Sequence, residues 1–64
     1  MNNLKLKILR IKAGLNQAEL AGRLNVTQAA ISSWERGLTM PGTKIIPKLA
    51  KTLNCTIDEL YGEG

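Results

Sequence analysis

Between Asn16 and Gly37 the chain reads NQAELAGRLNVTQAAISSWERG, and this stretch limits what the rest can become. It holds start and stop signals for two short helices. Asn16 is a favourable N-cap, and Glu19 three residues on completes a capping box, with Leu15 and Leu20 as the matching hydrophobic staple. Leu20, Ala21 and Leu24 carry the apolar spacing of a helix until Asn25, a residue that accepts the left-handed backbone of a helix end. Thr27 caps the next helix almost at once, stapled by Val26 and Ile31, and Gly37 ends it. Two helices joined by so short a corner cannot lie side by side and must cross steeply, the arrangement of a helix-turn-helix.

The second helix carries the most chemical information. At about 100° per residue, Ala30, Ile31 and Trp34 share one face, and Gln28, Ala29, Ser32, Ser33 and Arg36 collect on the other. A solvated helix face is normally rich in Glu and Lys, whereas this one has short neutral groups and no carboxylate. Short side chains let a helix sit deep in a DNA major groove, where Gln, Ser and Ala meet base edges. The plainer reading is a Ser-rich surface with no task.

The spacing resembles the phage repressor and Cro type of domain, also called the Xre type. The residues that carry the resemblance are Arg10, GLNQAELA from Gly14 to Ala21, Val26-Thr27-Gln28, Ile31 and Glu35-Arg36-Gly37. Pro41, LAKTL from Leu49 to Leu53, and Ile57-Asp58-Glu59-Leu60 extend it over nearly the whole chain. The resemblance implies an all-α, lambda-repressor-like fold, a five-helix bundle with the helix-turn-helix at its centre, as a single domain over 1–64.

Composition agrees with that class and excludes others. Sixty-four residues make one small core, so caps and partner contacts matter to its stability. Apolar residues at 44% are too many for a disordered tail. Nine Lys and Arg against five acids give a net charge of +4, which suits a polyanionic partner. One cysteine and no histidine exclude an intramolecular disulfide and a zinc site of the usual ligands, so no metal and no cofactor is expected. No apolar run reaches membrane-spanning length, and no signal peptide and a reducing, cytoplasmic setting are expected. With no His, no acid pair in a plausible cleft and no glycine-rich phosphate loop, no catalytic role can be assigned and no small-molecule substrate is evident.

Before Asn16, Leu4 to Ile8 alternates like a strand, but the following residues break the alternation and Gly14 ends the segment as a helix would. As a helix it has two apolar stripes, Leu6, Leu9 and Ala13 on one side and Leu4, Ile8 and Ile11 nearly opposite. The resemblance gives Leu6 and Leu9 to the core and leaves Leu4, Ile8 and Ile11 partly exposed, covered either by other parts of the chain or by a partner. Ala18 and Ala21 are small where the two central helices are expected to cross, and Gly22 either admits a neighbour or is simply a weak helical position. Glu35 faces the negative end of its helix dipole and needs a cation, for which Arg10 is the candidate, a structural pair that the resemblance also implies.

After Gly37 a loop broken at Pro41-Gly42 leads to a fourth helix, capped by Thr43 and running to about Leu53, its regular part starting near Ile46 with Pro47 in the first turn. Ile45, Ile46, Leu49, Ala50 and Leu53 supply its core side. Thr56 and Glu59 form another capping box for a last helix, Ile57 to Tyr61, ended by Gly62. Cys55 stands where the family usually has an apolar residue and is read as a buried small hydrophobe.

The function expected is that of a sequence-specific regulator of transcription, a repressor, binding double-stranded DNA as a homodimer on a palindromic operator. By resemblance the helix from Gln28 to Arg36 enters the major groove. Gln28, Ala29, Ser32 and Ser33 are the expected base readers, and Gln17, Thr27, Arg36, Thr43 and Lys44 the expected backbone contacts. The chain departs from the family at Leu38-Thr39-Met40, where many relatives carry Lys or Arg, which predicts modest affinity for one subunit. The alternative is a protein-interaction module of the same fold, an antitoxin or anti-repressor partner, favoured by the apolar candidates Leu4, Ile8, Ile11, Leu38 and Met40.

Overall fold

Helices α1 (Leu6–Lys12), α2 (Gln17–Leu24), α3 (Gln28–Glu35), α4 (Ile45–Thr52) and α5 (Ile57–Leu60) follow one another in the computed structural model, which describes residues 4–62. No strand is present among the described residues. The outermost positions of the expected 1–64 unit lie outside them.

None of these helices reaches the length at which a peptide helix holds in water, so packing and end chemistry must stabilise them. The packing converges on one point: Leu6, Leu20, Ile31, Leu49 and Leu60, one from each helix, are fully buried. Leu4, Ala21, Leu24, Trp34, Ile46 and Leu53 close around them. The ends follow the residues that flank them. Asn16 accepts from the Glu19 N–H while Glu19 accepts from the Asn16 N–H, and Thr56 and Glu59 repeat the reciprocal bond at α5. Thr27 accepts from the Ala30 N–H. Asn25, at φ 59°, turns the chain out of α2, and Gly37, at φ 75°, turns it out of α3.

Several local expectations need correction. Leu4 is not left partly exposed: it is 6% exposed, because it precedes α1 instead of continuing it, and of the two coverings expected it has the chain's own. The Lys5 N–H donates to the Leu60 carbonyl at 2.8 Å, which draws the entering chain over α5 and turns Leu4 inward. Ala13 is exposed, since α1 ends at Lys12 and Ala13 is already its C-cap. Ala18 is exposed too, and of the two alanines only Ala21 is buried. Thr43 does not cap α4. The cap position is Lys44, in a helical conformation with no side-chain bond, and the Gly42 carbonyl accepts from Ile45 and Ile46 instead. A turn of backbone does there what a threonine hydroxyl does elsewhere. Helix α5 stops at Leu60 with Tyr61 as its cap. Cys55 is half-buried against the core, not enclosed by it, and burial first, then the Glu59 charge, raises its thiol pKa.

Gly22 is exposed, and a Cβ built there meets nothing within 4 Å, so it admits no close neighbour and is a weak helical position. Gly22→Ala is expected to raise stability by about 1 kcal/mol through backbone entropy. Denaturant unfolding checks this: a midpoint that stays or falls would mean α2 needs glycine's freedom.

Candidate nucleic-acid interface

Helix α3 divides cleanly. Ile31 and Trp34 are buried and Ala30 packs partly against the core, while Gln28, Ala29 and the C-cap Arg36 are exposed. Ser32 and Ser33 lie between, partly accessible. The outward surface is therefore polar, small and uncharged until Arg36.

The one acid of α3 is withdrawn from that surface. Arg10 Nε donates to Glu35 Oε2 at 2.6 Å and Arg10 Nη2 to Glu35 Oε1 at 3.3 Å, a two-pronged pair with side chains only 10% and 4% exposed. Arg10 Nη1 donates onward to the Leu15 carbonyl at 2.8 Å, so the guanidinium also holds the segment leading into α2. One residue thus ties α1, the α1–α2 junction and α3 together, and among the described residues no buried side-chain polar atom lacks a partner.

Glu35 also fixes a residue at the rim. Gln17 Nε2 donates to Glu35 Oε1 at 3.0 Å, which orients the Gln17 amide with its oxygen outward. That oxygen accepts from Gln28 Nε2 at 3.5 Å. A chain of bonds therefore runs from the buried Arg10 through Glu35 and Gln17 to the exposed Gln28. Its last member is left with a free amide oxygen and one free N–H. Gln17 is expected from sequence as a backbone contact, but its bonds to Glu35 and Gln28 are not read there. The signal was available: Gln17 and Gln28 each follow an N-cap, Asn16 and Thr27, and so open the two helices of the motif in equivalent positions.

The remaining candidates surround α3. Thr27 is exposed, with its hydroxyl oxygen on the Ala30 N–H. Ser33 and Thr39 share a hydrogen bond at 2.8 Å between their hydroxyls, which holds the loop after α3 against the helix. Thr39 was not among the expected residues, and a lone threonine in a loop carries no pattern that marks it. In that loop Leu38 and Met40 are 65% and 51% exposed, while Pro41 is buried. Thr43 and Lys44 are exposed in the turn before α4. Among the described residues no group of three or more His, Cys, Asp or Glu is placed to hold a metal ion. No helix there is long and apolar enough to cross a membrane.

A family profile described as Helix-turn-helix matches residues 6–60. The chain is 41% identical over 58 residues to the HTH-type transcriptional activator BcrR of Enterococcus faecalis, covering 91% of this chain and 28% of that protein. It is 37% identical over 59 residues to the HTH-type transcriptional regulator ImmR of Bacillus subtilis (strain 168), covering 92% of this chain and 46% of that one. The chain thus spans less than half the length of these two relatives. Its fold is similar to that of the P22 c2 repressor protein, solved in complex with synthetic operator 9T in the presence of Tl+, with a TM-score of 0.85, 33% identity, and coverage of 94% of this chain and 91% of that one.

Proposed function

The chain belongs to the helix-turn-helix family, and from that premise we propose that it is a sequence-specific, double-stranded DNA-binding regulator of transcription that inserts α3 into the major groove. The observation that carries the reading is the pairing of Glu35 with Arg10, which removes the only carboxylate from α3 and leaves Gln28, Ala29, Ser32 and Ser33 as its outward groups. A groove-reading helix must present groups that meet base edges without repelling phosphate, and this face does so.

Gln28 is the principal reader, since its amide retains one acceptor and one donor, the pair that adenine complements in the major groove. Ala29 beside it offers a methyl group to thymine. Ser32 has no side-chain bond among those described, whereas Ser33 must exchange its bond to Thr39 before it reaches a base. Gln17, Thr27, Arg36, Thr43 and Lys44 hold the sugar-phosphate backbone on either side. One short helix spans few base pairs, so the bound form is a homodimer on a palindromic operator, its two α3 helices about 34 Å apart. In this reading the protein acts as a repressor. The likeness to the operator-bound P22 c2 repressor supports this.

Selection of bound duplexes from a random pool at about 50 and 200 mM salt tests the proposal. A two-fold-symmetric consensus is expected, with affinity falling steeply as salt rises and counterions are released. Binding that is insensitive to salt and selects no consensus would remove the DNA-binding reading. A single unpaired half-site would remove the dimer alone.

A further inference from the structure

The outward face of α1 has no role in the DNA-binding reading. Around the helix, Lys7, Ile11, Ile8 and Lys12 follow one another on the arc turned away from Leu6, Leu9 and Arg10. Ile8 and Ile11 are 56% and 58% exposed, and both lysines are exposed beside them. Two isoleucines open to water in the middle of a lysine-edged strip is a costly use of a short surface helix, which needs only one apolar stripe for its core. At its N-terminal end the strip meets a shallow depression lined by Lys5, Ile8, Leu9, Glu59 and Gly62. The Glu59 carboxylate there is held by the Thr56 N–H in the α5 capping box, and α1 itself contains no acid.

We propose that this face of α1 is a docking site for an acidic amphipathic helix of a protein partner. An apolar centre would lie on Ile8 and Ile11, with carboxylates on either side meeting Lys7 and Lys12. The charge pattern selects this occupant. A second copy laid on the same face would set lysines against lysines. A nucleic-acid backbone would satisfy the lysines and leave the isoleucines against phosphate. An anionic membrane gains little from two isoleucines on a helix whose other face is committed to the core. The site is also separate from α3. Ile8 lies about 160° around the helix from Arg10, the residue that reaches Glu35 of α3. A partner bound here therefore leaves the Gln28 surface open.

The probe is a synthetic acidic amphipathic peptide, leucines along one face flanked by glutamates, titrated into the isotope-labelled 64-residue chain and followed by amide chemical shifts. Saturable shifts are expected on Lys7 to Lys12. Affinity should fall about tenfold or more in the paired variant Ile8→Ser with Ile11→Ser, and likewise in Lys7→Glu with Lys12→Glu. These residues are exposed, so both variants should melt near the wild type. A version of the peptide with lysine for glutamate should not bind. Shifts centred on α3 would mean that the peptide imitates a polyanion and would overturn the proposal, as would no saturable shift. Shifts on α1 that grow with protein concentration alone would assign the face to a second copy. Tighter binding to phosphatidylglycerol vesicles than to the peptide would assign it to a membrane. The isoleucine variant should select the same DNA as the wild type, so failure here and failure of the DNA-binding reading are told apart.

Discussion

Arg10→Ala is expected to destabilise the domain by about 3–5 kcal/mol, the usual cost of leaving one partner of a buried pair without the other. For a chain this small, each kcal/mol lowers the melting temperature by roughly 4–8 °C, so much of the variant should be unfolded at 37 °C. The geometry accounts for the size. Removing the guanidinium takes two donors from a carboxylate whose side chain is 4% exposed and a third from the Leu15 carbonyl. The Gln17 amide is then the only described side-chain donor left on Glu35. Replacing both partners by apolar side chains, Arg10→Met with Glu35→Leu, should restore most of the loss, because the desolvation of both charges is removed along with their attraction. That double variant has a second use. It should fold, yet it lacks the Glu35 oxygen that orients Gln17, so DNA binding should remain impaired after stability recovers. Thermal melts of the three proteins decide the first point and DNA titrations the second. An Arg10→Ala protein that melts like the wild type would show the pair to be decoration of the surface.

What could be read from the sequence, and what could not, follows the range of the interactions. Caps are local, and Asn16 with Glu19, Thr27, and Thr56 with Glu59 are legible because the residues that make the bond lie within three positions of each other. The core of the later helices is legible by the same periodicity: Ile46, Leu49, Ala50 and Leu53 are buried as their spacing requires. The failures begin where a distant backbone group competes with the local pattern. Leu4 is drawn inward by a bond from Lys5 to Leu60, more than fifty residues along the chain, and no helical wheel of α1 contains that contact. Thr43 has the right residue type for a cap, but the Gly42 carbonyl is already in place one residue earlier. At the candidate site the types and spacings of Gln17 and Gln28 were visible, while the bond between them depends on Glu35, which lies in neither residue's local window.

Gln28→Ala should cost about 1–3 kcal/mol on the best DNA site and relax preference at one position in each half-site. Gln28 is exposed in the first turn of α3, and its amide makes one described side-chain bond, at 3.5 Å. The Gln17 oxygen accepts from its Nε2, which identifies the amide's nitrogen side and leaves the oxygen and one N–H to face outward. Those two groups match the N6 donor and N7 acceptor of adenine. A backbone contact by Gln28 predicts something different: a similar loss on every sequence, with the preferred site unchanged. Gln17→Ala separates the two. It deletes the oxygen that orients Gln28 and a candidate phosphate contact, so affinity should fall on all sequences while the base preferred opposite Gln28 weakens without changing identity. Glu35→Gln, which retains an oxygen for Gln17 but loses the charge that faces Arg10, should preserve the Gln28 preference in whatever fraction remains folded. Selection of bound sites with the Gln28→Ala, Gln17→Ala and wild-type proteins is the measurement. If Gln28→Ala recovers the wild-type consensus at every position, Gln28 does not read a base, and the bond it donates to Gln17 serves only to pack α2 against α3.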